Sequence, residues 1–233
     1  IYPGFIAVNT SLGLVEIYAV RASNDVDEIG DMLPHIRSII AYNAESKIVE
    51  SMRPNGVLVA QVTPRGGFIS GKSSIVQLDA WNWEDAVIRY DQGIHLNWPS
   101  PYSRTGYSYY RGPSTIKKSD KYDLNVEEIK NFFDSSKAYL NEPNPNPVSL
   151  PYKAMAPVFT GNATIFLHAD DAKQIKDGVR FLQDQKIKNI VVVGGTNSLD
   201  AGDFLADNNI KIALEQPHNL PSMEDEDVKS RFR

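Results

Sequence analysis

Between residues 163 and 214 one pattern recurs: a short apolar strand, a polar turn, then a helix. Ala163-Thr164-Ile165-Phe166-Leu167-His168 reads as a strand, and 171–185 as the helix after it. Asn189-Ile190-Val191-Val192-Val193 is the next strand, followed by Gly194-Gly195, a helix near 198–207 and a third strand over 210–214. Strands alternating with helices of about 10–15 residues predict βαβ units and a parallel sheet. This makes the chain an α/β protein. The alternation leaves open whether the sheet is flat or closes into a barrel.

The region upstream is less regular. Residues 4–9 (Gly-Phe-Ile-Ala-Val-Asn) read as a short buried strand. Asn43-Ala44-Glu45-Ser46 starts a helix that carries Ile48, Val49 and Met52 at helical spacing and ends at Pro54-Asn55-Gly56. Val57-Leu58-Val59-Ala60-Gln61-Val62 is a second buried strand. The spacing then predicts a Gly/Ser-rich loop over 63–74, a helix over 83–90 and a strand over 93–96. Residues 98–122, rich in Pro, Tyr and Ser, resist assignment. Asn125 is expected to cap a helix through Leu140, with Val126, Ile129, Phe132 and Phe133 on its apolar stripe. Asn141 to Pro147 breaks the chain, and 151–159 reads as a further helix. Residues 1–233 read as one domain, with 98–150 as an irregular insertion and helix within it.

Composition excludes several function classes. The chain has no cysteine, which rules out a thiolate metal site and a cysteine nucleophile, and only four histidines: His35, His95, His168 and His218. A net charge of −5 without basic blocks argues against nucleic acid as a partner. No apolar run approaches the roughly 20 residues of a membrane span. The start at Ile1 shows neither Met nor a charged leader segment, which points to a processed or cut chain. Cysteine usage leaves the compartment open, with a lean to a bacterial periplasm or secretion.

Four features carry candidate chemistry. Gly66-Gly67-Phe68-Ile69-Ser70-Gly71-Lys72-Ser73 matches a phosphate-binding loop in letters, but Ser74-Ile75-Val76 after it is strand-like where a helix is required, so no nucleotide site is expected. Val193-Gly194-Gly195-Thr196 fits a tight strand-to-helix turn. Trp81, Trp83 and Trp98 and six of the eleven tyrosines lie between 81 and 122, as a sugar- or peptide-binding surface or as the internal packing of a long excursion. His168, with Asp170 and Asp171 beside it, ends a strand where βα folds place their active sites. Glu215 ends the next-but-one strand and is a second candidate there. Asp170 and Trp98 complete a possible substrate site.

Pro3-Gly4-Phe5-Ile6-Ala7-Val8-Asn9-Thr10-Ser11-Leu12-Gly13 resembles the first barrel strand of the amidohydrolase superfamily. Asn55-Gly56-Val57, Gly66-Gly67 with Ser70-Gly71, and Gly161 with Phe166-Leu167-His168-Ala169 look like its imidazolonepropionase-related branch. His218-Asn219-Leu220-Pro221 with Glu224-Asp225 fits the same branch. The resemblance implies a (β/α)8 barrel of the TIM type, here partial, with about six strands present. It implies a divalent metal such as zinc at the C-terminal strand ends, activating water for attack on a carbonyl. It also implies a small-molecule substrate hydrolysed at an amide or other C–N bond.

Against the family pattern, Asn9 and Ser11 stand at the two histidine positions of strand one, and Gly194 about where the strand-six histidine falls. His168 keeps its imidazole and is the expected metal contact. Asn and Ser oxygens are weak donors beside imidazole. Two readings stay open: a C–N hydrolase with an altered, metal-poor site, or a degenerate barrel kept as a binding or scaffolding module for a sugar or peptide. A partial barrel exposes strand edges, so self-association or covering by 98–150 is expected.

Overall fold

The computed structural model describes residues 3–104, 116–196 and 198–215. Seven strands form one sheet in the order β1 (Phe5–Thr10), β2 (Val57–Val62), β3 (Ile69–Gln77), β4 (Val87–Asn97), β7 (Thr164–Ala169), β8 (Ile190–Gly194) and β9 (Lys211–Leu214). β5 (Tyr102–Arg104) and β6 (Ile116–Lys118) make a separate two-stranded ribbon. The run β4, β7, β8, β9 is parallel, as the alternation predicts, and β1 is parallel to β2. β3 is antiparallel to both neighbours, so the sheet departs from an all-parallel eightfold barrel. It curls until its two outer strands approach: Asn9 at the end of β1 donates a hydrogen bond to Glu215, one residue past β9. The result is a nearly closed, seven-stranded barrel-like sheet.

Two apolar cores lie outside this sheet. The larger packs Ile94, Leu96, Ile165, Leu167 and Val192 against the helices α3 (Tyr122–Asn141), α5 (Ala156–Thr160), α6 (Ala172–Asp184) and α7 (Gly202–Asp207). The smaller packs Ala60, Val62 and Val76 against Leu14, Ile39, Tyr42 and Val49, the last on α1 (Lys47–Met52). α2 (Trp83–Ala86) and α4 (Leu150–Ala154) are single short turns. In β4, β7 and β8 alternate residues feed the larger core, which leaves the others facing inward.

The inward face explains why several sequence expectations fail. The expected loop over 63–74 is strand from Ile69 onward, because Ser70, Ser73 and Ser74 are buried along the sheet. Gly71-Lys72-Ser73 lies inside β3, so the phosphate-loop match has no helix to serve. The helix expected over 83–90 stops at Ala86, where the β-branched pair Val87-Ile88 opens β4. α3 begins at Tyr122, three residues before the expected cap, and Asn125 sits in its first turn. β1 is an edge, not a buried strand: Phe5 is 70% and Ile6 66% exposed.

Part of the aromatic group packs inward. Trp98 is buried and donates to Tyr122 (3.2 Å), which donates to Asp177 (2.7 Å). Trp98 therefore packs as part of the larger core. Trp83 packs on the smaller core, and Trp81 is exposed. Tyr107, Tyr109 and Tyr110 lie outside the described residues, as do His218 to Pro221, Glu224 and Asp225. No helix among the described residues is long and apolar enough to cross a membrane.

Candidate functional site

The site grows out of β4. In Gly93-Ile94-His95-Leu96-Asn97-Trp98 the residues Ile94, Leu96 and Trp98 enter the larger core. Strand periodicity then turns Gly93, His95 and Asn97 into the barrel. β7 repeats this, with Ile165, Leu167 and Ala169 in the core and Phe166 and His168 turned inward. The parallel register sets His95 against Phe166 and Asn97 against His168. The His95 ring stacks on Phe166 at 4.9 Å, and its Nδ1 lies 2.8 Å from Nε2 of His168. Its Nε2 meets Ser73 Oγ at 2.8 Å. His95 is wholly buried, with both ring nitrogens partnered.

The polar run continues around the barrel. Gln61 of β2 donates through Nε2 to Ser73 Oγ (3.0 Å) and accepts from the Asn9 backbone N–H at Oε1 (3.2 Å). Asn9 has φ 53°, a left-handed conformation that Asn tolerates better than most residues. Arg65, just past β2, donates to Asn9 Oδ1 (3.2 Å) and to its carbonyl (2.8 Å). Arg65 also lies 3.8 Å from Glu215. Both of those side chains are more than a third exposed, so the pair is worth at most about 1 kcal/mol. Asn9, Gln61, Arg65, Ser73, His95, His168 and Glu215 thus converge from six segments of chain.

Electrostatics keep both imidazoles neutral. Burial, then the Arg65 charge, push His168 down to about 4. Burial, then His168 and Arg65, hold His95 well below its ordinary value. A cation between buried bases makes a second positive charge costly.

The sequence-predicted residues fare unequally. His168, Asn9 and Glu215 come together. Ser11 does not join them, since its Oγ lies 3.4 Å from the Tyr18 hydroxyl on an exposed turn. Gly194 lines up beside Ala169. It has φ 100°, and a Cβ there would fall 2.7 Å from Asp170 Oδ1. A side chain there would strain the backbone and displace the Asp170 carboxylate. Asp170 itself accepts from Thr196 N (3.4 Å) and Oγ1 (3.0 Å), so it ties the turn after β8 to the turn after β7. The next residue, Asp171, caps α6.

His95, Gln61, Ser73 and Arg65 escape the sequence reading. A polar residue at period two within Gly-Ile-His-Leu-Asn is the signal that could have found His95.

The donor set does not fit the implied divalent metal. Nε2 of His168 faces another imidazole, Asn9 donates its amide to Glu215, Ser11 points elsewhere and Gly194 has no side chain. Among the described residues no three His, Cys, Asp or Glu side chains converge for a metal. What the arrangement offers is a set of oriented hydrogen bonds and one guanidinium.

Gly93 keeps this wall thin. A Cβ there would lie 2.2 Å from the Phe166 ring and 3.1 Å from Ser73 Oγ. Gly93→Ala is expected to cost about 1–3 kcal/mol by overpacking. It should also weaken the His95–Phe166 stack, seen as lost ring-to-ring nuclear Overhauser effects. An unaltered melting temperature would show that the ring yields freely.

The sequence matches no family model and no curated protein. The fold is similar to a solved structure, that of an amidohydrolase from Thermotoga maritima MSB8, with 17% identity and a TM-score of 0.80. The match covers 98% of this chain but 60% of the other, so the chain spans less than two thirds of that protein's length. At this identity the likeness speaks to architecture alone: the chain has an amidohydrolase-like fold.

Proposed function

We propose that this barrel binds a small molecule carrying an amide or related carbonyl group at the C-terminal strand ends, in a site built of hydrogen bonds. One observation carries the reading. It is the unbroken run from Glu215 through Asn9, Gln61, Ser73 and His95 to His168. Buried polar groups are costly unless all are paired, so a run this long marks a wall whose geometry is held for a ligand. The resemblance of Pro3-Gly4-Phe5-Ile6 to the first strand of the amidohydrolase superfamily, and of Asn55-Gly56-Val57 and Gly66-Gly67 to its imidazolonepropionase-related branch, supports an amide-type ligand.

A second reading is hydrolysis of an amide or other C–N bond. Its support is the fold shared with a protein named amidohydrolase, and the place of His168 at a strand end with Glu215 in the same network. The two readings separate on one preparation. Purified full-length protein is assayed for metal by mass spectrometry and titrated calorimetrically with N-acetyl amino acids, hydantoins and lactams. Saturable binding without turnover, at well under one metal per chain, is the expected result. Stoichiometric metal that His168→Ala removes, together with hydrolysis of a panel compound, would replace the binding reading with the hydrolase.

A further inference from the structure

Two donor-only groups set the direction of the hydrogen bonds that run from Glu215 to Ser73. The backbone N–H of Asn9 can only donate, so the group facing it must be the Gln61 carbonyl oxygen. That orients the Gln61 amide and makes its Nε2 the donor to Ser73 Oγ. Arg65 can likewise only donate. It holds Asn9 Oδ1 as acceptor and so turns Asn9 Nδ2 toward Glu215.

Ser73 then has its own proton to give. Two acceptors are in reach, His95 Nε2 at 2.8 Å and the Gly93 carbonyl at 3.5 Å. Hydroxyl hydrogen bonds centre near 2.7–2.8 Å, so the imidazole wins. With Nε2 accepting, neutral His95 carries its proton on Nδ1 and donates it to Nε2 of His168 at 2.8 Å. With Nε2 of His168 accepting, neutral His168 carries its proton on Nδ1. That nitrogen makes no hydrogen bond to any described residue.

We infer that Gln61 and Ser73 are positioning residues that lock His168 as its Nδ1–H tautomer, so that the site offers an N–H donor to an accepting carbonyl or carboxylate oxygen on the ligand. The inference deepens the binding reading and names the ligand atom that reading requires. It also gives the metal misfit a mechanism. The lone pair of Nε2 is already committed to the His95 proton, and Nδ1 has none to give.

Hydrogen positions are testable without any ligand. Long-range proton–nitrogen correlation spectra of uniformly labelled protein report the tautomer of each imidazole, with signals assigned through His35→Gln, His95→Gln, His168→Gln and His218→Gln. At neutral pH wild-type His95 and His168 should both show the Nδ1–H pattern. Ser73→Ala should release the lock and move both rings toward a mixture of tautomers, whereas Ser73→Thr, which keeps the hydroxyl, should restore it. An Nε2–H pattern for His168 in the wild type overturns the inference, and so does a pattern unmoved by Ser73→Ala. The wild-type spectrum decides even if the alanine variant does not fold. N-acetylglycine, which carries both an amide carbonyl and a carboxylate, is then added to the wild type. A shift of the His168 Nδ1 signal confirms that this N–H meets the ligand. If the tautomers are as stated and N-acetylglycine and the calorimetric panel all fail to bind, the lock stands and the binding reading falls.

Discussion

Replacing Phe133 with alanine is expected to cost about 3–5 kcal/mol of folding free energy. Phe133 sits on α3 with no exposed surface. Its ring meets Phe181 of α6 edge-on at 5.1 Å and Phe159 of α5 edge-on at 6.1 Å. Three helices from separate parts of the chain therefore share one side chain. Truncation loses the transfer energy of the ring, two aromatic contacts and the filling of a site that rigid neighbours cannot close. Domains of this kind are stable by only about 5–15 kcal/mol, so the variant should lose a large share of the total. Urea unfolding followed by far-ultraviolet circular dichroism measures it. A loss below about 1 kcal/mol would mean that α3 does not dock on α5 and α6.

Acid should destabilise the fold before its carboxylates titrate. His168 is held at about 4 in the folded chain against 6.5 for the free side chain, and His95 is displaced in the same direction. Between those values the unfolded chain binds protons that the folded chain refuses. Stability is thus fully present above about pH 6.5 and is lost as the pH falls toward 4. A histidine displaced as far as His168 contributes about 3 kcal/mol across that interval. Unfolding free energies measured at pH 7.5, 6, 5 and 4.5 should decline steadily. His168→Gln keeps a polar group of similar size but cannot titrate, so it should flatten the decline. A profile level from pH 7.5 to 4.5, or a slope that His168→Gln leaves unchanged, would contradict the buried neutral pair.

How much of this was readable in advance depends on distance along the chain. β7, α6, β8 and β9 fall within a residue or two of their expected positions, because each is set by a local period of apolar residues. Asp171 caps α6 and Gln174 reaches back to it, a box spanning three residues. The errors cluster where an element faces the barrel interior. β3 reads as a loop because its inward residues are serines, and only the closed sheet makes burying them favourable. The helix expected over 83–90 and the strand expected over 93–96 are instead a single turn and one long strand, since pairing with β3 and β7 outweighs local preference.

The site divides the same way. Sequence alone picks out His168, Asn9 and Glu215, because strand ends and a resemblance to a known first strand point to them. The resemblance also sets Gly194 about where that family carries a histidine. Sequence alone does not show that Asp170 fills the space that side chain would occupy, or that His95 meets His168 across 73 positions of sequence. Nor does it show that Asn9 meets Glu215 across 206 positions. Local periodicity determines which residues turn inward, since it follows from backbone geometry within a few residues. Which inward residues touch is decided by strand order, the parallel register of β4 on β7 and the curl that brings β1 to β9. Those are global outcomes of burying two cores outside one sheet, and no short stretch of sequence contains them.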